Sequence, residues 1–279
     1  MPQDKYKATW VSNSSISDFL TCPRLYYLRN VYKDPQSNHK INIINPSLAL
    51  GQTVHEVLES LSFLNTEDRF KISLIDNYND SWKKVSGKLG GFKNADEEQE
   101  IKERGIKMLQ LVLDNPGPLL NKAIKIKKHD PTYLPNYYLS EDENIILCGK
   151  IDWLEYIPTD SSVHIIDFKT GKRDESPNSL QLPIYYLLAK NCQELKVSKA
   201  SYWYLDRNNK PTEVSLPNTD DAYNIILEIA RRIKQLRLRG EYLCVKNGCF
   251  ACEPFEAIIK GKAEFVGVGG YNQDLYIIS

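Results

Sequence analysis

ENIILCGKIDWLEYIPTDSSVHIIDFKTGK, residues 143–172, contains two runs rich in isoleucine and aromatic residues, 144–157 and 163–170, on either side of PTDSS. Runs of this kind, bounded by a Pro/Asp/Ser cluster, read as two strands of a hairpin. If Ile157 pairs with Ser162 across PTDS, each step back along the first strand matches a step forward along the second. Asp152 then comes directly opposite Asp167. Opposed residues share a face, with Cβ atoms roughly 5 Å apart. The two-residue strand period adds Lys150 and Lys169 to that face and sends Phe168 to the other. Two carboxylates this close repel each other, and burying them unpaired is costly. A divalent cation relieves the repulsion, and hard oxygen ligands suit Mg²⁺, with Mn²⁺ as the substitute. Lys169 beside such an ion is placed to orient an attacking water and to stabilise charge developing on a phosphate. An isolated D-x-K also describes an ordinary surface hairpin, so the weight rests on the elements around it.

Upstream, residues from about 46 to 62 form a helix pattern, with Leu50, Val54, Val57, Leu58 and Leu61 at helical spacing. His55 sits on it one turn after Gly51, whose missing side chain permits close approach of another element. Downstream, a helix over about 178–190 carries Gln181 and Tyr185 four residues apart, on one face. His55 also fits a satisfied core histidine, and Gln181 and Tyr185 also fit packing or capping roles. The opening SSISDFLTCPRLYYL predicts a helix capped by Ser15, with Asp18 three positions on. Pro23 kinks it or opens a second segment after Cys22. Residues 66–114 predict two helices joined around 87–91. A strand at 199–206, a turn at Asn208 and Asn209 and a helix over about 219–239 ended by Gly240 complete the order. Helices, then strands, then helix–strand–helix predict a mixed α/β (α+β) fold, a central mixed sheet flanked by helices. With no repeat and no low-complexity linker, residues 1–279 read as one domain. Residues of about 63–130 form a helical insertion, and residues of about 241–279 a cysteine-bearing terminal segment.

The 279 residues hold 36 acidic and 36 basic side chains, so bulk charge does not announce a nucleic-acid partner and local patches must. RRIKQLRLRG places five basic residues and no acid between 231 and 239, including Arg231, Arg232 and Arg237; NKAIKIKK adds Lys125 and Lys127. Either patch, if it lines a cleft, grips DNA phosphates without reading sequence. No apolar run approaches a membrane span, and MPQDKYKATW lacks the apolar stretch of a signal peptide. The expected location is the cytoplasm, where the six cysteines stay reduced and favour metal over disulfides.

GQTVHEVLE (51–59), GKIDWLE (149–155), IIDFKTGK (165–172) and QLPIYYLLAK (181–190) resemble, in order, the motifs of the RecB-like PD-(D/E)XK nucleases. That family includes the RecB and AddB nuclease domains and the CRISPR-associated RecB-like nucleases. SISDFLTCPRLYYL (15–28) resembles the family's first helix with its cysteine. The resemblance implies a restriction-endonuclease-like core and a metal-dependent deoxyribonuclease, exonucleolytic or single-strand-acting, in DNA repair, recombination or CRISPR adaptation. It implies that His55, Asp152, Asp167 and the backbone carbonyl of Phe168 bind the metal and that Lys169 is catalytic. Gln181 and Tyr185 would support the site or touch DNA. The sequence has no helicase motif, so a motor, like CRISPR adaptation proteins, would be a separate partner.

In cluster-bearing relatives one N-terminal cysteine joins three near the C-terminus around a 4Fe–4S cluster. Cys22, Cys249 and Cys252 match, but the last expected position holds Ile258, and Cys244 restores the count to four. The expectation is a 4Fe–4S centre on Cys22, Cys244, Cys249 and Cys252, with tetrahedral zinc or merely packed thiols as alternatives. Cys148 and Cys192 read as small buried hydrophobes. The contrasting reading of the whole chain is an inactive DNA-binding or recombination scaffold. Retention of the polar groups at 55, 152, 167, 169 and 181 argues against it.

Overall fold

In the computed structural model, which describes residues 5–126 and 134–278, the chain begins with β1 (Thr9–Val11), α1 (Asn13–Thr21) and α2 (Pro23–Tyr26), the last continuing into a π-helical turn, Tyr27–Val31. Next come β2 (Lys40–Ile43), α3 (Pro46–Ser60), α4 (Leu74–Trp82) and α5 (Ala95–Asp114). The strand-rich part holds β3 (Asn136–Ser140), β4 (Ile145–Cys148), β5 (Trp153–Ile157) and β6 (Ser162–Lys169). Then follow α6 (Gln181–Cys192), β7 (Lys196–Tyr204), β8 (Thr212–Val214) and α7 (Thr219–Arg239). The chain closes with α8 (Glu253–Ile259), β9 (Glu264–Gly269) and β10 (Gln273–Ile277). Among the described residues no helix is long and apolar enough to cross a membrane.

The fold is mixed α/β with mixed sheets flanked by helices, and the strands divide into three ladders. In β5-β6-β7-β8 the β6–β7 pairing is parallel and the other two are antiparallel; β1-β4-β3 and β2-β10-β9 are also mixed. β6 lies between two apolar layers, which accounts for its near-continuous hydrophobic run. Val163 and Ile165 face the layer built with α6 and α7, whereas Ile166 and Phe168 face the layer built with α3, α4 and α5. The side-chain alternation thus assigns Asp167 and Lys169 to the α6 side.

Several boundaries differ from the sequence reading. Ser12 caps α1, accepting from Ser15 N, while the Ser15 hydroxyl accepts from Ser12 N; Ser15 is thus the third helical residue of a capping box. Pro23 does open a second segment, because Cys22 is extended and breaks the helix. The run 144–157 is two strands in different ladders, with Gly149 to Asp152 leaving the sheet between them. Gly149 sits under Leu188, whose Cδ1 would lie 2.8 Å from an added Cβ. α7 ends as read, at Gly240 in the left-handed conformation (φ 69°).

α4 and α5 pack on α3, and their junction with the sheet depends on one buried cation. Arg69, 2% exposed, donates through Nε to Leu61 O (3.0 Å) and through Nη1 to Leu119 O (2.7 Å) and Asn121 O (2.5 Å). Its guanidinium lies 5.0 Å from the centre of the Trp153 ring. One side chain thereby satisfies the Leu119 and Asn121 carbonyls and adds a second bond to Leu61 O, which also accepts from Leu64 N. Arg69→Met keeps the stem, removes all three bonds and leaves the Leu119 and Asn121 carbonyls without this donor. The expected loss, read by urea unfolding, is roughly 2–4 kcal/mol; a loss below about 0.5 kcal/mol would contradict the clamp.

Candidate active site

The site grows from the hairpin register. β5 and β6 pair from Ile157↔Ser162 to Trp153↔Ile166. One further step sets Asp152 against Asp167, but Asp152 has already left the ladder. Its Oδ2 accepts from Phe168 N at 2.9 Å. On the other edge of β6, Lys169 O accepts from Leu205 N at 2.9 Å. Successive residues of a strand point their backbone groups to opposite edges, so the Phe168 carbonyl faces the edge where Asp152 lies.

Helices reach this strand end from both layers. From α3, His55 Nδ1 stands 3.4 Å from Asp152 Oδ2 and 3.8 Å from Glu59 Oε1. His55, Glu59 and Asp152 each offer a ligand atom within 4.8 Å of the others. The His55 ring meets Phe168 edge-on at 6.0 Å. Gly51, one turn earlier, faces Thr170, whose Oγ1 would lie 3.3 Å from an added Cβ, so α3 closes tightly on the residue after β6. From α6, Gln181 Nε2 donates to Asp167 Oδ1 (2.8 Å) and to Tyr185 Oη (3.2 Å), while its Oε1 accepts from Lys169 Nζ. Lys169 Nζ also lies 2.8 Å from Asp167 Oδ2 and 2.9 Å from Glu175 Oε2. The contact with Asp167 is a close ion pair, in which the Lys169 ammonium donates to the buried Oδ2.

Burial and the neighbouring Asp152 charge push the Asp167 carboxyl up to about 7, against the pull of Lys169. Burial opposes a charge on His55, but Asp152 and then Glu59 outweigh it and raise the imidazole to about 10. Lys169 is likewise raised, its burial outweighed by Asp167 and Glu175. Burial, followed by the two aspartates, raises Tyr185 well above the ordinary phenol range. Acidic groups therefore crowd one point, and the Lys169 ammonium does not offset the burial of the Asp167 carboxylate and the charge of Asp152 beside it. Carboxylate oxygens with one imidazole nitrogen make a donor set that fits a hard divalent ion such as Mg²⁺ or Mn²⁺.

Two acids escaped the sequence reading. Glu59 lies four residues after His55 on α3, a spacing that puts both on one face; Lys150 pairs with it instead of joining the aspartate face. Glu175 sits in the β6–α6 loop, its N–H donating to Tyr204 Oη at 3.0 Å, and no periodic pattern marks it. Arg104 on α5 steadies the same loop by donating to Thr170 O (2.7 Å) and pairing with Asp206.

Of the basic residues singled out earlier, Lys125 lines a groove shared with Glu59, Lys150 and Asp152, its Nζ 3.8 Å from the centre of the Phe63 ring. Lys127 lies outside the described residues. Arg231 is committed to Glu143 (Nη2 to Oε1 2.6 Å), Arg232 lies over Phe19 at 5.2 Å, and the Arg237 charge acts on the Tyr26 phenol. A second histidine, His164, joins Glu155 (2.8 Å) and Ser201 (2.7 Å) in a chain resembling a hydrolase relay. The Ser201 side is sealed, with that residue 1% exposed, so the network is internal to the sheet.

Away from the carboxylates, the sulfurs of Cys22, Cys244, Cys249 and Cys252 lie within 4.8 Å of one another. Backbone N–H groups of Cys252 and Ala251 hold the Cys249 thiol down at about 7. Cys148, whose Sγ is 3.5 Å from Val11 O, and Cys192, packed on the α6–α7 core, stand apart. The four-cysteine cluster can bind a metal.

A family model described as the PD-(D/E)XK nuclease superfamily matches residues 11–254. No curated protein matches the chain.

The raised Asp167 has a consequence for stability. The folded chain holds that proton more tightly than the unfolded chain, so the contribution is complete below about pH 4 and is lost as pH rises through about 7. In chelator at pH 8, Asp167→Asn is expected to exceed the parent in urea-unfolding stability by at least about 1 kcal/mol, a gap that shrinks toward pH 5. A less stable variant at pH 8 would mean that the Lys169 pair outweighs burial and repulsion.

Proposed function

The chain belongs to the PD-(D/E)XK nuclease superfamily, and on that premise we propose that it is a Mg²⁺- or Mn²⁺-dependent deoxyribonuclease of the RecB-like kind. The observation that carries the reading is the meeting of His55, Glu59 and Asp152, which could share one ion, beside the buried carboxyl of Asp167, which burial and Asp152 push up to about 7. Asp152, Asp167 and His55, with the Phe168 carbonyl, are the residues that would hold the ion; Glu59 lies within reach of the same ion as His55 and Asp152. When bound, the ion supplies Lewis acidity toward a phosphate oxygen and lowers the pKa of water.

The chain's own side chains supply the rest. Lys169, fixed between Asp167, Glu175 and Gln181, orients the attacking water and offsets negative charge as phosphorus gains a fifth oxygen. The new P–O bond forms from water, which gives up a proton to solvent; one P–O ester bond breaks, and the leaving alkoxide takes up a proton from solvent. Gln181 holds both Asp167 and Lys169 and so keeps acid and base in register; Tyr185 in turn receives a hydrogen bond from Gln181. The groove lined by Lys125 and Lys150 leads DNA to Asp152, and its exposed Phe63 and Tyr271 suit the unstacked bases of a single strand or a frayed end. In this reading residues 1–279 form one nuclease domain, with about 63–130 as its inserted helical part.

The purified chain is expected to cut DNA with Mg²⁺ or Mn²⁺ and to stop in EDTA. Asp167→Ala and Lys169→Ala lose at least about 10²–10³-fold in rate, and Asp152→Asn nearly as much, while circular dichroism shows the fold retained. Undiminished cutting by the Lys169 or Asp167 variant would overturn this site.

A further inference from the structure

The four cysteines near the chain ends come from three segments: Cys22 before α2, Cys244 after α7, and Cys249 with Cys252 in the turn that opens α8. They belong to a small apolar core with Leu25, Leu28, Ile41, Phe255 and Ile258. The resemblance to cluster-bearing nucleases suggests a 4Fe–4S centre, but the arrangement does not fit one. We propose that Cys22, Cys244, Cys249 and Cys252 bind a single tetrahedral zinc ion and that no iron–sulfur cluster forms on them.

The argument is one of distance. Four thiolates around one zinc, each bond about 2.3 Å, stand about 3.8 Å from one another. Here all four sulfurs lie within 4.8 Å, and Cys249 and Cys252 are 3.5 Å apart. In a cubane each thiolate binds a different iron at a different corner, so the sulfurs must stand farther apart than any four that share one ion. The set would therefore have to open, and the surrounding contacts oppose opening. Arg24 beside Cys22 pairs with Glu256 on α8 at 2.5 Å. Tyr27 stacks on Tyr242, two residues before Cys244, at 4.7 Å. The turn that carries the last two cysteines is closed by Cys252 N and Glu253 N donating to Cys249 O at 3.1 and 2.9 Å.

Space around the cysteines gives the same answer. Ile258, the position where relatives carry their last cysteine, is buried in this core and fills it with hydrocarbon. The cleft beside Cys244 and Cys252, lined also by Arg24 and Glu256, is bounded by neither Cys22 nor Cys249, so it is not a chamber enclosed by the four sulfurs. Among ions that accept four thiolates in a tetrahedron, zinc binds more tightly than ferrous iron. Binding releases the four thiol protons, and the ion closes a loop from Cys22 to Cys252 that spans most of the chain.

The proposal stands apart from the nuclease reading, because its test does not read cleavage. The full chain is purified anaerobically from cells supplied with both iron and zinc, then analysed for zinc, iron and acid-labile sulfide. About one zinc per chain, no sulfide and no visible colour are expected. Cys249→Ser loses the zinc, whereas Cys148→Ser retains it. Should the Cys249 variant not fold, the parent chain is stripped and refilled with Co²⁺, which is expected to show the intense absorption of tetrahedral thiolate coordination. Iron with sulfide in equal amounts, iron without sulfide, a metal-free chain with six free thiols, or Co²⁺ without thiolate bands would each overturn the proposal.

Discussion

Everything at the candidate active site follows from two carboxylates that come together at the buried end of the β5–β6 hairpin. Asp167 has no retreat: it lies on a strand sunk between two apolar layers, and its buried Oδ2 has the Lys169 ammonium against it. Asp152 partly escapes by leaving the ladder and accepting the Phe168 N–H. The repulsion that remains is visible in the opposed shifts of neighbouring groups. Asp167 is pushed toward neutrality, while His55 and Lys169 are held charged. At neutral pH the raised Asp167 weakens the ion-free fold while the attractions that hold His55 and Lys169 charged strengthen it, and a cation at this point would relieve the strain on Asp167.

The surrounding elements hold that arrangement in place. α3 delivers His55 and Glu59 from one layer, and its Gly51 lets the helix close against Thr170. α6 delivers Gln181 from the other layer, and that amide spans Asp167 and Lys169. Behind them, Arg104 holds the Thr170 carbonyl and Arg69 gathers the loose carbonyls where α4 and α5 meet the sheet. The helices between α3 and β3 therefore bear on the site, because both arginines transmit their packing to the hairpin and to the loop that follows it.

How much of this could be read from residues alone depends on range along the chain. The hairpin register is local and was readable, since PTDS sets the pairing and the two-residue period does the rest. His55, Gln181 and Tyr185 were readable as faces of helices next to the hairpin. Glu59 was missed although its spacing from His55 pointed to it, and Lys150 was misassigned because the chain leaves the sheet at Gly149. No sequence pattern announces that leaving; it follows from α6 packing, with Leu188 over Gly149. The β2–β10 pairing joins the two ends of the chain and has no local signature. The pairing of Arg231 on α7 with Glu143, a partner 88 residues away, likewise has no local signature.

The central claim is that the opposed aspartates, with His55, form the seat of one divalent cation. A crystal of the full chain grown with Mn²⁺, with diffraction recorded at wavelengths on either side of the manganese absorption edge, tests it without reference to activity. The account predicts a strong anomalous peak within bonding distance of both Asp152 and Asp167. An empty hairpin end in a crystal grown at millimolar Mn²⁺, or a peak bound to Glu59 and His55 with Asp167 untouched, would contradict it.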